Sequence, residues 1–532
     1  MHSRILLLVL AVLLTPALAD EGHQHAMPAG ENFGTVHFAT SCSAAAQPKF
    51  QRAVAILHSF GYEHARTAFE DVAKQDPQCA MAYWGVAMTH YRGLWEQMEF
   101  AEGAAAVAKA REIAQANTKT TARERGYLEA IANIFADQSK PLRERALAYE
   151  LAMAKLHTDY PDDTEAAIFY ALALDVNAPK GDKTYANQRK ARDILVPIFE
   201  KQPNHPGLAH YIIHASDFPP LAAEALPAAR RYAAIAPASA HAQHMPSHIF
   251  IRLGLWDEAI KSNRKSAAAA ERDQKTARTN EAYNQRLHAM DYMEYGYLQL
   301  GRSVEARELL IEAQRIREKD GLNPIGGYAD AAIPARFAVE RRQWKEAAAL
   351  PDPTGETYND AMTWFAKGLG IGQMPPPANG NRLMDNTKLR NIVGKLYAIR
   401  EKLAQKGDKF WSDQVEVQRL QLLAWAEMME KDTDKALEHA RAAADLEDAT
   451  EKPPVTPGPI IPARENLANM LVAAGRPADA LTEYEAVLKV APNRLNAITG
   501  AVKTAEAAGE KQKAKDYRAK LGELRKTAKI GL

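Results

Sequence analysis

Six of the sixteen histidines in this chain fall between His205 and His248, and four of them repeat in register. His210 and His214 recur 34 residues later as His244 and His248. Pro203 and Pro237 keep the same interval, as do Ala225 and Ala259. An imidazole is the commonest side-chain ligand for a transition metal. A spacing of four puts two imidazoles on one helical face. The apolar row of HPGLAHYIIHASD is Ala209, Ile212, Ile213 and Ser216, and the histidines point away from it at about 100° per residue. In HAQHMPSHIFIRLG, His241, His244 and His248 form one stripe, while Ile249, Phe250 and Leu253 form another. Packed helices lie about 8–10 Å apart. Imidazoles on neighbouring helices can therefore share an ion bound about 2.0–2.1 Å from each nitrogen. The expectation is one small volume faced by His210, His214, His244 and His248.

The next unit reads LHAMDYMEY. With Ala306 as phase marker, His288 takes the place of His241, and Asp291 that of His244. Several histidines and one carboxylate make a ligand set for Zn²⁺, Cu²⁺ or non-haem iron. Glu294 is placed to orient a ligand or act as a base. Three other readings stand beside a metal-binding scaffold: a metal-dependent enzyme of unknown reaction, a polar groove that holds a peptide, and structural hydrogen bonding. No HEXXH pattern is present, so a zincin-type protease is not supported. Pro246 interrupts the second stripe. Either the helix begins near Pro246, leaving His241 and His244 in the preceding turn, or it kinks there.

A period of 34 is that of a two-helix unit. The segment FQRAVAILHSFGYEHARTAFEDVAKQDP places Ala65, Phe69 and Pro77 at the spacing of a second helix and its terminal proline. RLGLWDEAI, QLGRSVEAREL and AAGRPADALTEYEAVLKVAPN each set a Gly turn before a helix, with Ala259, Ala306 or Ala480 at a close-packing position. On these segments the chain resembles the tetratricopeptide-repeat (TPR) family over most of residues 46–528. It also resembles a group of exported bacterial TPR proteins, through LHSFGYEHA, DPQCAMAYWGVAMT, HAQHMPSHIFIRLGLWDEA, LHAMDYMEYGYLQLGR and TPGPIIPARENL. The resemblance implies an all-α solenoid of helix-turn-helix repeats, a right-handed superhelix with a concave groove for a peptide or protein partner. It suggests that the histidines face that concave side; the residues themselves add His58, Trp84, Arg252 and Glu294 as groove candidates, with repeat packing as the other reading of Trp84. The resemblance says little about chemistry, because such a fold is a scaffold.

Proline- and glycine-rich stretches divide the chain. An N-terminal array is expected over 46–350, a linker over 351–382 (PDPTGE and MPPPANGN), and a smaller C-terminal array over 383–532. ATEKPPVTPGPIIP interrupts the second array. Residues 1–19 read as a secretory signal: Arg4, an apolar run from Ile5 to Leu14, then Ala17-Leu18-Ala19. Residues 20–45 follow as a leader. Export, most simply to a bacterial periplasm, is the expectation, with no transmembrane anchor after cleavage. Cys42 and Cys79 are the two cysteines. In an oxidising compartment they suggest one disulfide, the alternative being two buried thiols. Basic and acidic residues nearly cancel, 67 against 66. That leaves no strong net field for holding nucleic acid.

Overall fold

A computed structural model describes residues 31–277, 280–317, 322–376, 378, 381–452 and 455–530. The expected signal segment lies outside them. The described chain is an all-α solenoid in which successive helices pack as antiparallel neighbours. Among the described residues, the only strands are Tyr91–Arg92 and Gln97–Met98, a short antiparallel pair. No helix of these residues is long and apolar enough to cross a membrane.

The alanines at the expected close-packing positions, Ala259, Ala306 and Ala480, are fully buried. A methyl side chain lets the paired backbones approach where a longer one would hold them apart. Residues 31–45, expected as a leader, are instead built into the first hairpins. Phe38 is inaccessible and its ring lies 5.5 Å from Phe50, 5.6 Å from Trp84 and 4.9 Å from Tyr127. Cys42 and Cys79 form a disulfide across 4.7 Å between Cα atoms, joining this segment to the start of helix Ala80–Thr89.

Two hydrophobic cores run along the solenoid, and they meet at helix Pro324–Glu340 rather than at a linker. Half of the expected linker 351–382 is the helix Tyr358–Gln373. Thr357 and Asp360 form a capping box at its start, and Ala361, Phe365 and Leu369 are buried in the second core. The prolines that suggested a break only flank it.

The C-terminal array does not extend away from the first. It folds back onto it. Residues 450–452 and 455–462 lie against the histidine-rich helices: Lys452 pairs with Asp217 at 2.8 Å, and Tyr292 donates to the Thr456 carbonyl at 3.0 Å. Arg336 donates to the Gly458 and Pro459 carbonyls. Further along, Trp256 donates its indole N–H to the Asn493 carbonyl at 2.9 Å. Gly254 adopts a φ of +66°, and a Cβ there would stand 2.2 Å from the Pro492 carbonyl oxygen. Only glycine allows both the turn and the approach.

Candidate metal centre

Four helices deliver the histidines. Helix Pro206–His214 starts on Pro206, which suits the first helical turn, and carries His210 and His214. Ser239 caps the next element, accepting from the Ala242 N–H, and Ala240–His244 carries His241 and His244. The helix restarts as Pro246–Arg252, carrying His248. Met245 keeps a helical conformation between the two pieces, so Pro246 breaks the hydrogen-bond ladder without turning His248 away from His244. Helix Asn280–Gln299 adds His288.

The four repeated histidines do not share one point. They divide into two groups, each taking a third imidazole from the next element. His210, His214 and His241 form one; His244, His248 and His288 form the other. Within each group the ligand atoms lie within 4.8 Å of one another. Between groups, the His214 and His248 rings stand 6.4 Å apart, and those of His241 and His244 6.3 Å. All six histidines are buried. The face pointing away from the apolar row is therefore interior and not an open concave surface. The following hairpins and residues 450–452 and 455–462 cover it.

The hydrogen bonds fix what these rings offer. His244 donates Nδ1–H to Asn263 Oδ1 at 2.6 Å, and Asn263 is oriented by its own amide donating to the Ala259 carbonyl at 2.8 Å. His248 donates Nδ1–H to the Asp217 carboxylate at 2.9 Å. His210 donates Nδ1–H to the His58 backbone carbonyl at 2.6 Å. In a neutral imidazole the second nitrogen then presents a lone pair. Yet His244 Nε2 and His248 Nε2 stand 2.9 Å apart. His210 Nε2 lies 3.0 Å from His241 Nε2 and 3.1 Å from His214 Nε2. With metal–nitrogen bonds of about 2.05 Å, separations of 2.9 and 3.1 Å subtend angles of about 90° and about 98°. These are geometries of adjacent ligands on one ion.

A proton is a poor alternative to an ion here. Burial pushes His210, His214, His241, His244 and His288 well below the ordinary imidazole range, and neighbouring histidines push them further. His248 is also lowered by burial, partly offset by Asp217. Burial alone would raise Asp217, but Lys452, Arg252 and His248 hold it well below the usual carboxylate range. The shifts set a pH dependence. The unfolded chain takes up protons near pH 6.5 and the folded metal-free protein does not. Stability is complete above about pH 6.5 and falls as the pH drops below it. The metal-free protein should therefore be less stable at pH 5.5 than at pH 7.5. Urea unfolding of metal-stripped protein at pH 7.5 and 5.5 measures this, and equal midpoints would contradict it.

The other expected site residues lie elsewhere. Asp291 pairs with Arg336 at 3.2 Å, both inaccessible, and belongs to neither histidine group. Glu294 is buried with neither carboxyl oxygen hydrogen-bonded, and burial beside Asp291 raises it well above the usual range. Trp84 belongs to the core, not a groove wall, with Phe38, Phe50 and Phe169 around it. His58 is likewise interior. Its Nε2 lies 2.9 Å from Glu165, which His205 approaches on the other oxygen at 2.8 Å, and its Nδ1 is 2.9 Å from the Tyr211 hydroxyl. Gly207 makes room for this ring: a Cβ there would stand 2.6 Å from His58 Nδ1. Arg252 pairs with Asp217 at 2.8 Å and so acts on His248 at one remove. Sequence reasoning missed Glu165, Asp217 and Asn263. Asp217 follows His214 by three residues and was visible as a neighbour; the other two carry no local signal.

No family model and no curated protein matches this chain. Among solved structures, the human IFIT1 dimer with PPP-AAAA is similar at 16% identity, over 75% of this chain and 72% of that one, with a TM-score of 0.32. The TPR domain of P58(IPK) is similar at 11% identity, over 88% and 99%, with a TM-score of 0.21. Naa15/Naa10 bound to HypK gives 14% identity, 90% and 62%, and 0.21. Overlays at these scores are loose, and the solenoid assignment stands on the helices described above.

Proposed function

We propose that this protein is a helical-repeat scaffold that holds a divalent first-row transition metal in its interior, on His244, His248 and His288 and on the neighbouring His210, His214 and His241. One observation carries the reading. Two imidazoles whose Nδ1 protons are already donated, His244 to Asn263 and His248 to Asp217, direct their Nε2 atoms at each other across 2.9 Å. Without a cation between them these lone pairs repel. The Asp217–His248 contact also has the form of the carboxylate–histidine pair that orients metal ligands. Three neutral nitrogens from each group leave coordination positions open for a small ligand. An all-nitrogen set suits Zn²⁺ or Cu²⁺ best, with iron as the third candidate.

The signal-like N-terminus and the Cys42–Cys79 pair favour an exported protein in an oxidising compartment. Elemental analysis of protein prepared without a polyhistidine tag tests the metal reading. About one to two equivalents of one transition metal per chain are expected, removable by chelator at low pH, where ligand protonation competes. Less than about a tenth of an equivalent, with no uptake of Zn²⁺ or Cu²⁺ on reconstitution, would reject it.

A further inference from the structure

Between the first array and the returning C-terminal helices lies a cleft of about 510 Å³. That is within the range of small-molecule sites, about 300–1,000 Å³. One wall is aromatic. Tyr358 and Trp411 stack with ring centroids 3.9 Å apart and planes 6° from parallel, and Tyr328 stands 6.0 Å from Trp411. Two cations, Arg252 and Lys452, also line the cleft, and both converge on the single carboxylate of Asp217. Five of the charged residues lining the cleft are basic and three are acidic. Burial pushes one of the three, Glu447, up to about 7 and lowers Lys452 to about 8, and a positive surplus remains at neutral pH. Gln421, which also lines the cleft, is only 1% exposed, and its amide oxygen has no hydrogen-bond partner. A buried acceptor left unsatisfied in a cleft is a cost that a bound donor removes.

We infer that this cleft binds a planar aromatic carboxylate bearing a hydroxyl or N–H donor. The ring lies against the Tyr358–Trp411 pair, the carboxylate meets Lys452 and Arg252, and the donor meets Gln421. The site is separate from the histidine groups and does not depend on a metal. It is linked to them only through Asp217, which Lys452 and Arg252 share with His248. An anion drawing on Lys452 loosens its hold on Asp217, and so the ligand and the second histidine group sense each other.

The test uses the full chain, as purified and after chelation with helicity verified, and 6-hydroxy-2-naphthoate as probe in isothermal titration calorimetry. One equivalent should bind saturably in both preparations. The uncharged methyl ester should bind at least about tenfold more weakly, since it lacks the charge-assisted contact. Trp411→Ala should weaken the acid about two- to tenfold, and Lys452→Met should shrink the gap between acid and ester. Absence of saturable binding overturns the inference, as does equal affinity for acid and ester, a comparison that needs no variant. Binding seen only in metal-loaded protein would put the probe on the histidines and overturn it too. Absence of metal from the protein as purified and after reconstitution, with probe binding intact, would leave the cleft standing and count only against the metal reading.

Discussion

Replacing His244 and His248 together by alanine should remove about one equivalent of bound metal, while far-UV helicity stays at its wild-type level. The pair supplies two of the three nitrogens in its group, at the 2.9 Å separation an ion can span. A lone His288 cannot retain the ion. The short helices around the pair are held by Ser239, by the Ser262 and Ser266 hydroxyls donating to backbone carbonyls, and by Ile249 and Phe250 in the core. None of these depends on the imidazoles. The companion change, His210→Ala with His214→Ala, should remove the other equivalent and leave the first. Elemental analysis of both variants decides the matter. Unchanged stoichiometry in both would place any metal outside these groups.

Arg494→Met should destabilise the protein by about 3–5 kcal/mol, read as a lowered urea midpoint. Arg494 is inaccessible and donates to Glu465 at 2.5 Å, to Glu340 at 2.7 Å and to the Tyr295 hydroxyl at 3.2 Å. Methionine keeps much of the volume and removes the charge. Two buried carboxylates are then left facing one another with no cation between them. Their repulsion and desolvation, more than the lost attraction, supply the penalty. Adding Glu465→Gln to Arg494→Met should recover part of the loss, because one of the stranded charges is gone. A single variant as stable as the parent would contradict this account.

Much of the local order was legible in the sequence. The 34-residue period located equivalent histidines, and the alanines at 259, 306 and 480 marked where helices pack closely. Two cysteines in an expected oxidising compartment suggested one disulfide, with two buried thiols as the alternative, and the structure pairs Cys42 with Cys79. What the pattern could not give was the return of the chain. A periodic reading supplies contacts between neighbours only. Lys452 on Asp217, 235 positions away, and Arg494 beside Tyr295, 199 away, leave no trace in it. The same blindness explains why the histidine face looked open. Helical angles say which way a side chain points, not what later arrives to cover it. It also explains the division into two groups. The register was right, but which third imidazole each pair takes depends on how far one helix slides along the next. The helix Tyr358–Gln373 was lost to the prolines on either side of it.

The contacts at Gly254, Trp256 and Asn493 turn a rod into a hoop. A coil of repeats held only by its neighbours flexes like a spring, and any site within it breathes as the ends are pulled. Here tension must first unfasten the clasp at Arg494 and the Trp256–Asn493 bond. Until it does, the chain between Trp256 and Asn493, which carries His288, is shielded from mechanical load applied at the ends.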